Sequence, residues 1–234
     1  MKNQYVGDIN DYRKYGLIDV ISKVFSKKIL FVWMLTHDEN NDGNKIEYLN
    51  KPHKYRQYNE ILFDELKTIV ANRRKNDNLD NIIAIENSNF LKEYKFFHDF
   101  IEDDEKSRSE YFEKVYELAT KFDTIFFDPD NGIEVPSCKY GNRRSSKYIY
   151  WREIERVYNS NKNILIYQHF PFINHKIFVK KIVKQCQSKL KGAEVIPIMT
   201  KNVLFIFITH NSKELIEKLK IKLDTWKGEI EFEK

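Results

Sequence analysis

The sequence predicts a single α/β domain whose central sheet is mostly parallel, with an antiparallel hairpin strand near the C-terminus. Apolar runs of strand length alternate with stretches of helical periodicity along most of the chain. No Pro-, Gly- or Ser-rich linker and no internal repeat divides the 234 residues. Only Thr200-Lys201-Asn202 joins the last two apolar runs. Since a parallel crossover needs about a dozen residues, these two strands are expected to be antiparallel neighbours.

Six strands are predicted from apolar runs that end in turn residues. The runs at 29–35 and 124–128 are continuously apolar before a polar loop, which is typical of strands buried on both faces. The run Ile82-Ile83-Ala84-Ile85 ends in Glu86 and is interpreted as the second strand. The predicted strands are 29–35, 82–86, 124–128, 163–167, 194–199 and 203–209.

Helices are predicted where apolar residues recur at helical spacing between these strands. The segment 174–190 combines this periodicity with a basic face, and 213–226 closes the chain. The predicted helices are 11–25, 59–72, 89–100, 109–121, 151–158, 174–190 and 213–226.

The composition is that of a globular protein with local excesses of positive charge. Hydrophobic residues make up 41% of the chain, charged residues make up 32%, and the net charge is +5. Basic clusters can neutralise phosphates, which would make nucleic acid, RNA or DNA, a partner. The basic clusters are explained equally well as lysines on an ordinary solvated surface. The clusters lie at 27–28, 73–75, 143–147 and 176–184.

The cysteines and the apolar segments restrict the location of the protein. Cys138 and Cys186 lie far apart with no metal-ligand spacing, so neither a disulfide framework nor a zinc site is expected. The first residues lack the apolar core of a signal peptide, and no apolar segment approaches the roughly 20 residues that span a bilayer. We therefore expect a soluble, reduced protein of the cytoplasm with no membrane partner. The sequence gives no indication of an oligomeric state.

The segment Phe126-Phe127-Asp128-Pro129-Asp130-Asn131-Gly132-Ile133-Glu134 is the most informative stretch. Here an apolar strand ends abruptly in a turn that carries three carboxylates, Asp128, Asp130 and Glu134. In open α/β sheets, ligands bind at the carboxyl ends of the strands. Asp, Asn, Pro and Gly are also common in plain turns. Three acids behind so apolar a strand favour a functional site.

Further candidate residues follow other strands or mix aromatic and basic side chains. His169 follows an apolar strand, where it could act as a general base, read a base edge or cap the strand end. Tyr12, Arg13, Lys14 and Tyr15 interleave rings and cations, a mixture that suits single-stranded nucleic acid but also fits an amphipathic helix. The loop with Arg143, Arg144 and Lys147 is a further candidate for substrate binding.

Three stretches resemble the bacterial 23S rRNA adenine-N6 methyltransferase family. The spacing of Gly7, Asp11 and Lys14 matches the opening motif of that family, and Glu86 lies at the end of a predicted second strand. The tetrapeptide Asp128-Pro129-Asp130-Asn131 lies where the family carries Asp-Pro-Pro-Tyr, and 167–171 lies at its next strand end. The resemblance concerns order and spacing over most of the chain.

The resemblance implies a Rossmann-like fold of the class I methyltransferases, S-adenosylmethionine as cofactor, and methylation of an amino group on a nucleic-acid base. It implies that Glu86 holds the cofactor ribose and that Asp11, Lys14 and Asp38 also belong to the cofactor site. It assigns catalysis to Asp128, with Asp130 and His169 beside it.

The sequence also departs from the family pattern, so alternatives stay open. The loop after the first strand contains only Gly43 where the family has two glycines, and Asn131 replaces the stacking Tyr, for which Tyr150, Trp151 or Phe170 could substitute. One alternative is a nuclease or phosphodiesterase that binds Mg²⁺ through clustered carboxylates. The other is a domain without cofactor that only binds nucleic acid or protein. The metal ligands of the nuclease would be Asp38, Asp42, Glu86, Asp128, Asp130, Glu134 and His169.

Overall fold

A seven-stranded sheet with helices on both faces forms the centre of the computed structural model, which describes residues 2–26, 28–37, 45–73, 81–211 and 213–232. The helices are α1 (Ile9–Val24), α2 (Pro52–Tyr55), α3 (Glu60–Arg73), α4 (Asn81–Glu86), α5 (Glu105–Ala119), α6 (Trp151–Asn159), α7 (His175–Lys189) and α8 (Lys213–Leu223). The strands of the large sheet are β1 (Ile29–Val32), β2 (Lys95–Phe97), β3 (Thr124–Phe127), β6 (Asn163–His169), β7 (Glu194–Met199), β8 (Val203–Thr209) and β9 (Glu231–Phe232), and β4 (Gly132–Ile133) pairs with β5 (Tyr148–Ile149) in a small second sheet.

The strand order in the large sheet is β2-β1-β3-β6-β8-β7-β9. The first four strands are parallel to one another, whereas β8 runs antiparallel to both of its neighbours, β6 and β7. The edge strand β9 is antiparallel to β7. The predicted α/β class, the mostly parallel sheet and the antiparallel pair at 194–209 are therefore confirmed.

The strands are apolar on both sides because helices cover both faces of the sheet. Alternate residues of β1 show this arrangement. Phe31 belongs to the core beneath α1, α3 and α8, and Leu30 and Val32 belong to the core beneath α5, α6 and α7. Gly16 of α1 is required on the first face, since an added Cβ would collide with the Trp226 ring after α8.

Two predicted elements between α3 and α5 are wrong. The segment 82–86 is helical, and the segment 89–100, predicted as a helix, contains strand β2. Within α4, Ile82 and Ile85 are buried while Ile83 is 40% exposed, which is a helical burial pattern. Short apolar runs do not distinguish a strand from one buried turn of helix, and this ambiguity explains the error.

The bounds of the central strands β1 and β6 agree better with the sequence prediction. Strand β1 is shorter than expected, since Met34 adopts a φ of +47°, and Leu35 beyond it forms a single bridge with Phe100. Strand β6 extends two residues beyond the predicted end and includes His169. No helix in the described ranges is long and apolar enough to cross a bilayer.

A buried ion pair joins α5 to α6 and holds the long loop before β5. The Arg108 guanidinium donates to both carboxylate oxygens of Glu153, at 2.7 and 2.9 Å, and to the carbonyls of Ser145 and Tyr148. Arg108 is fully buried. Four of the five guanidinium N–H groups thus have an acceptor, and this offsets much of the cost of burying the charge.

We predict that Arg108→Met destabilises the protein by about 3–5 kcal/mol, because it leaves the Glu153 carboxylate buried without its partner. Arg156→Met is the matched control. It removes an exposed pair with Glu113 that joins the same two helices, and should cost less than about 1 kcal/mol. Urea unfolding of both variants measures the difference, and equal losses would contradict this account.

Candidate functional site

A cavity of about 330 Å³ opens at the carboxyl edge of the sheet, between the ends of β3 and β6 and the first turns of α1. Parallel strands end at the same edge, so side chains that follow β3 and β6 meet there. Six residues proposed from the sequence line this cavity: Asp11, Lys14, Asp128, Asp130, Lys147 and His169. The structure thus brings the predicted catalytic residues together with two of the predicted cofactor residues.

The central contact of the cavity is made by the Lys14 ammonium group. Its Nζ lies 2.7 Å from Asp11 Oδ1 and 2.7 Å from Asp128 Oδ2. All three side chains are buried. Burial alone would lower the pKa of Lys14, but the carboxylates of Asp11 and Asp128 raise it above its usual value. Lys14 therefore stays charged and neutralises part of the acidic cluster.

Aromatic rings enclose the same ammonium group. Lys14 Nζ lies 5.1 Å from the centre of the Tyr15 ring, 5.4 Å from Trp33 and 5.7 Å from Tyr167. Such rings attract a cation through their negative faces. They also keep water from the ion pairs, and this strengthens the electrostatic contact between Lys14 and the carboxylates.

Two of the acids in the cavity, Asp8 and Asp11, lie at the start of α1. Asp8 is the N-cap, and its side chain accepts hydrogen bonds from the backbone N–H groups of Asn10 and Asp11. Asp11 Oδ2 accepts a hydrogen bond from the Gly7 N–H at 2.9 Å. Burial, together with the charge of Asp11, raises the pKa of Asp8 from 3.8 to about 7. Burial likewise raises the pKa of Asp11, against the opposing effect of Lys14.

Asp130 follows Asp128 on the same turn and stays ionised. Its Oδ2 accepts a hydrogen bond from Thr36 Oγ1 at 2.7 Å and lies 3.9 Å from Lys2 Nζ. Burial alone would raise the pKa of Asp130, yet the neighbouring positive charges and the Thr36 hydroxyl lower it. The cavity therefore contains two carboxyl groups of raised pKa, Asp8 and Asp11, and one carboxylate of lowered pKa, Asp130.

Gln168 fixes the turn that carries these acids. Its carboxamide accepts from the Ile133 N–H at 2.8 Å and donates to the Asn131 carbonyl at 3.0 Å. Gly132 adopts a φ of +116°, and an added Cβ there would collide with this carboxamide. The sequence reasoning missed Gln168, although its position just before His169 on an apolar strand was visible.

His169 remains open to solvent at the cavity. Its ring packs edge-on against Tyr167, with centres 5.1 Å apart. The protein packed around the ring lowers the pKa of His169 below its usual value, although Asp128 and Asp130 act in the opposite direction. The imidazole is therefore neutral near pH 7, with a nitrogen able to accept a proton.

A second cavity of about 440 Å³ lies at the ends of β1 and β2. Its walls include Leu35, Ile82 and the rings of His37 and Phe100, which stack with centres 4.7 Å apart. Thr36 lines this second cavity, and its hydroxyl bonds to Asp130, which lines the first. The two cavities therefore adjoin at the Thr36–Asp130 hydrogen bond.

Glu86 does not occupy the predicted position at the end of a strand, because its segment is helix α4. Its Oε1 accepts a hydrogen bond from the Trp33 indole at 2.8 Å and lies 3.0 Å from His98 Nδ1. Glu86 lines neither cavity. The predicted ribose contact therefore loses its structural basis. Asp38, the other acid of the predicted cofactor loop, lies outside the described residues with Asp42.

The residues proposed for nucleic-acid contact lie in three environments. Tyr12 is fully buried and donates to the Tyr55 carbonyl, and Arg13 is buried against Glu229. This burial is inconsistent with the predicted contact of Tyr12 and Arg13 with nucleic acid, and supports the amphipathic-helix alternative. Arg143 and Arg144 are exposed on their loop, and Lys147 lines the first cavity.

The aromatic residues considered as substitutes for the stacking Tyr do not line the first cavity. Tyr150 donates to the Cys138 carbonyl, and Phe170 stacks on His175. The Trp151 N–H donates to Glu134, which therefore acts at the start of α6. Tyr5 and Tyr167 line the cavity instead. Tyr167 could have been found from its position two residues before His169.

The chain matches no family model, and no curated protein or solved structure is detectably similar to it. Within the described residues, no three His, Cys, Asp or Glu side chains are grouped to hold a metal ion.

The raised pKa of Asp8 predicts a pH-dependent stability. The unfolded chain ionises Asp8 near pH 4, whereas the folded protein retains the proton up to about pH 7. Between these values the folded state binds more protons, so stability falls as pH rises, by up to about 1.4 kcal/mol per pH unit. Asn keeps the N-cap hydrogen bond and cannot ionise. The Tm of Asp8→Asn relative to wild type should therefore increase from pH 4 to 7 and then level off.

Asp104 provides the matched control, since it caps α5 with an exposed side chain and a lowered pKa. For Asp104→Asn the difference in Tm should be small and of opposite sign. Thermal unfolding followed by circular dichroism at a series of pH values measures both. A pH-independent difference for Asp8→Asn would show that Asp8 ionises normally in the folded state.

Proposed function

We propose that the protein is an S-adenosylmethionine-dependent methyltransferase that acts on an amino group of a nucleic-acid base. The observation that carries the proposal is the pair of adjoining cavities at the carboxyl edge of the sheet. One contains Asp128, and the other combines apolar and aromatic side chains with the polar groups of Asn3 and Thr36. A reaction between two bound molecules needs two such neighbouring sites, because held reactants meet without the entropy cost of a collision.

The strand order supports the proposal. In the class I methyltransferase arrangement an alternating α/β chain ends with a hairpin strand. Here β8 enters antiparallel between β6 and β7. The first cavity lies at the ends of β3 and β6, near the middle of the sheet. The tetrapeptide from Asp128 to Asn131 follows β3, as the resemblance implied.

The second cavity fits an adenine-like group. The stacked pair His37 and Phe100 offers a flat aromatic surface, and Phe100 is 51% exposed. Leu35 and Ile82 provide apolar walls. A flat, partly apolar base binds well against such side chains. In this proposal His37, Phe100 and Leu35 hold the adenosine part of the cofactor. The bound cofactor would supply a methyl group carried on a positively charged sulfur.

Asp128 has the central role in the first cavity. The amine of the substrate becomes more positive as it gains the methyl group, and a buried carboxylate stabilises that charge. Lys14 donates a hydrogen bond to Asp128 Oδ2 at 2.7 Å and so fixes the orientation of its side chain. Asp130 lies at the junction of the two cavities, where its carboxylate also opposes developing positive charge.

The proton that the methylated amine must release needs an acceptor. A ring nitrogen of His169 can take it, because the lowered pKa leaves the imidazole neutral and the ring is open to solvent. Tyr5 and Tyr167 supply aromatic faces for a planar base inside the cavity. Lys45 and Lys147 lie at the same cavity, where they can contact the adjoining phosphates.

The metal-dependent nuclease is less well supported by the contacts. The Lys14 ammonium group already lies between Asp11 and Asp128, at the position where a bridging cation would have to bind. The Asp130 carboxylate is bonded to the Thr36 hydroxyl. Binding of Mg²⁺ would require displacement of a buried, well-paired lysine, which costs several kcal/mol.

The variant Asp128→Asn tests the proposal. It keeps the size of the side chain but removes the charge, so methyl transfer from labelled S-adenosylmethionine to RNA or DNA should fall about a hundredfold or more. Asp123→Asn is the matched control, because Asp123 is exposed at the opposite end of the same strand and should keep full activity. Circular dichroism would establish that both variants fold.

Mg²⁺-dependent cleavage of the same nucleic acids is assayed in parallel. Wild-type protein that cleaves nucleic acid and transfers no methyl group would overturn the proposal in favour of the nuclease. Full methyl transfer by Asp128→Asn would place the reaction elsewhere in the molecule.

A further inference from the structure

The turn between β6 and α7 exposes large apolar side chains next to the first cavity. Phe172 is fully exposed, Ile173 is 50% exposed and Ile177 is 66% exposed. The turn begins directly after His169, the last residue of β6 and part of the cavity wall. Clustered exposed apolar residues indicate an interaction surface rather than ordinary solvated loop.

The turn is firmly anchored although its tip is exposed. The Phe170 and His175 rings stack almost in parallel, with centres 3.7 Å apart. The Asn174 side chain caps α7 by accepting from the Ile177 N–H, and the Ile173 N–H donates to the Pro171 carbonyl. Phe172 is therefore presented on a fixed backbone, and binding to it requires little ordering of the turn.

The exposed face of α7 is strongly basic. Lys176, Lys180 and Lys184 recur every four residues, about 6 Å apart along the helix axis. All three are exposed, and none forms an ion pair with a carboxylate in the described part of the chain. Residues His175–Lys189 contain no Asp or Glu. This row of cations has no acidic partner within its own helix.

A shallow groove of about 860 Å³ follows the same helix. Ile177, Val183 and Pro197 contribute apolar surface to it, and Lys180, Lys181 and Lys184 contribute charge. The groove and the turn together form what we call the β6–α7 surface, which comprises residues 170–174 and the exposed side chains of α7. Its chemistry combines cations with apolar and aromatic groups, the combination that binds single-stranded nucleic acid.

We propose that the β6–α7 surface binds the single-stranded nucleic-acid segment that flanks the target base. Phe172 stacks on a neighbouring base, and Lys176, Lys180 and Lys184 contact successive phosphates. The inference rests on the proposed function and deepens it by naming the form of the substrate. Charge complementarity selects a polyanion. Aromatic stacking selects unpaired bases, because a base within a duplex has no free face.

Fluorescence anisotropy with labelled oligouridylate and oligothymidylate tests the proposal. The triple variant Lys176→Gln/Lys180→Gln/Lys184→Gln should bind at least tenfold more weakly, and its slope of log affinity against log salt should fall by about two, as expected for three lost phosphate contacts. Phe172→Ala should bind about fivefold more weakly or worse with the salt slope unchanged, because stacking carries no charge.

The matched control is Lys213→Gln/Lys218→Gln/Lys222→Gln, which removes the same charge from exposed lysines of α8 on the opposite face of the sheet. Its affinity should equal that of wild type. If both triple variants lose the same oligonucleotide affinity, the loss reflects only the lower net charge of the protein, and the proposal is overturned. The proposal is also overturned if wild type binds the matching duplex more tightly than the single strand. Binding to phosphatidylserine vesicles without binding to the oligonucleotides would overturn it as well.

Calorimetry with S-adenosylmethionine separates this proposal from the proposed function. In one outcome, wild type and both triple variants bind S-adenosylmethionine, and the α7 substitutions do not change oligonucleotide affinity. This outcome would support the methyltransferase and refute the proposed role of the β6–α7 surface. In the opposite outcome, oligonucleotide binding depends on the α7 lysines but wild type does not bind S-adenosylmethionine. This outcome would support the proposed role of the β6–α7 surface and refute the proposed methyltransferase function.

Discussion

The ion pairs of Lys14 with Asp11 and Asp128 are the interaction on which the site depends. They connect helix α1 to the end of the central strand β3, over a sequence separation of 114 residues. Taking one ammonium and two carboxylates out of water costs several kcal/mol per ion, and only close pairing offsets that cost. The cluster therefore fixes α1 against the sheet, since movement of either element would leave a buried charge without its partner.

The same cluster determines the electrostatic character of the cavity. One lysine faces two carboxylates in its centre, and the Asp130 carboxylate adds further negative charge beside the Thr36 hydroxyl. Asp8 relieves part of this excess by retaining its proton up to about pH 7. A cavity of this kind favours groups that become positive, such as an amine that receives a methyl group. The lysines at its rim and on α7 instead favour the phosphates of a long substrate.

Features determined by local chain geometry were predictable from the sequence. The antiparallel pair β7–β8 followed from a three-residue link, and the position of Asp128 followed from an apolar strand that ends in Asp-Pro. The burial of Tyr12 and the three aromatic rings that enclose the Lys14 ammonium were not predictable. They depend on which distant residues pack against α1.

The errors have a similar physical origin. Residues 82–86 contain too few positions to separate the periodicities of strand and helix, so Glu86 was assigned to the wrong kind of element. Gln168 supports the acidic turn through a carboxamide that no local pattern marks as functional. The basic face of the helix at 174–190 was visible in the sequence, but its place beside the cavity and the exposure of Phe172 in the preceding turn required the fold.

A crystal structure with S-adenosylhomocysteine tests the central claim, that two adjoining cavities bring a methyl donor to Asp128. We expect the ligand at the ends of β1 and β2, with its adenine against Phe100 and its sulfur directed past Thr36 towards Asp128. Ligand bound elsewhere, or no ligand and a divalent cation bound by Asp128 and Asp130 when Mg²⁺ is present, would contradict it.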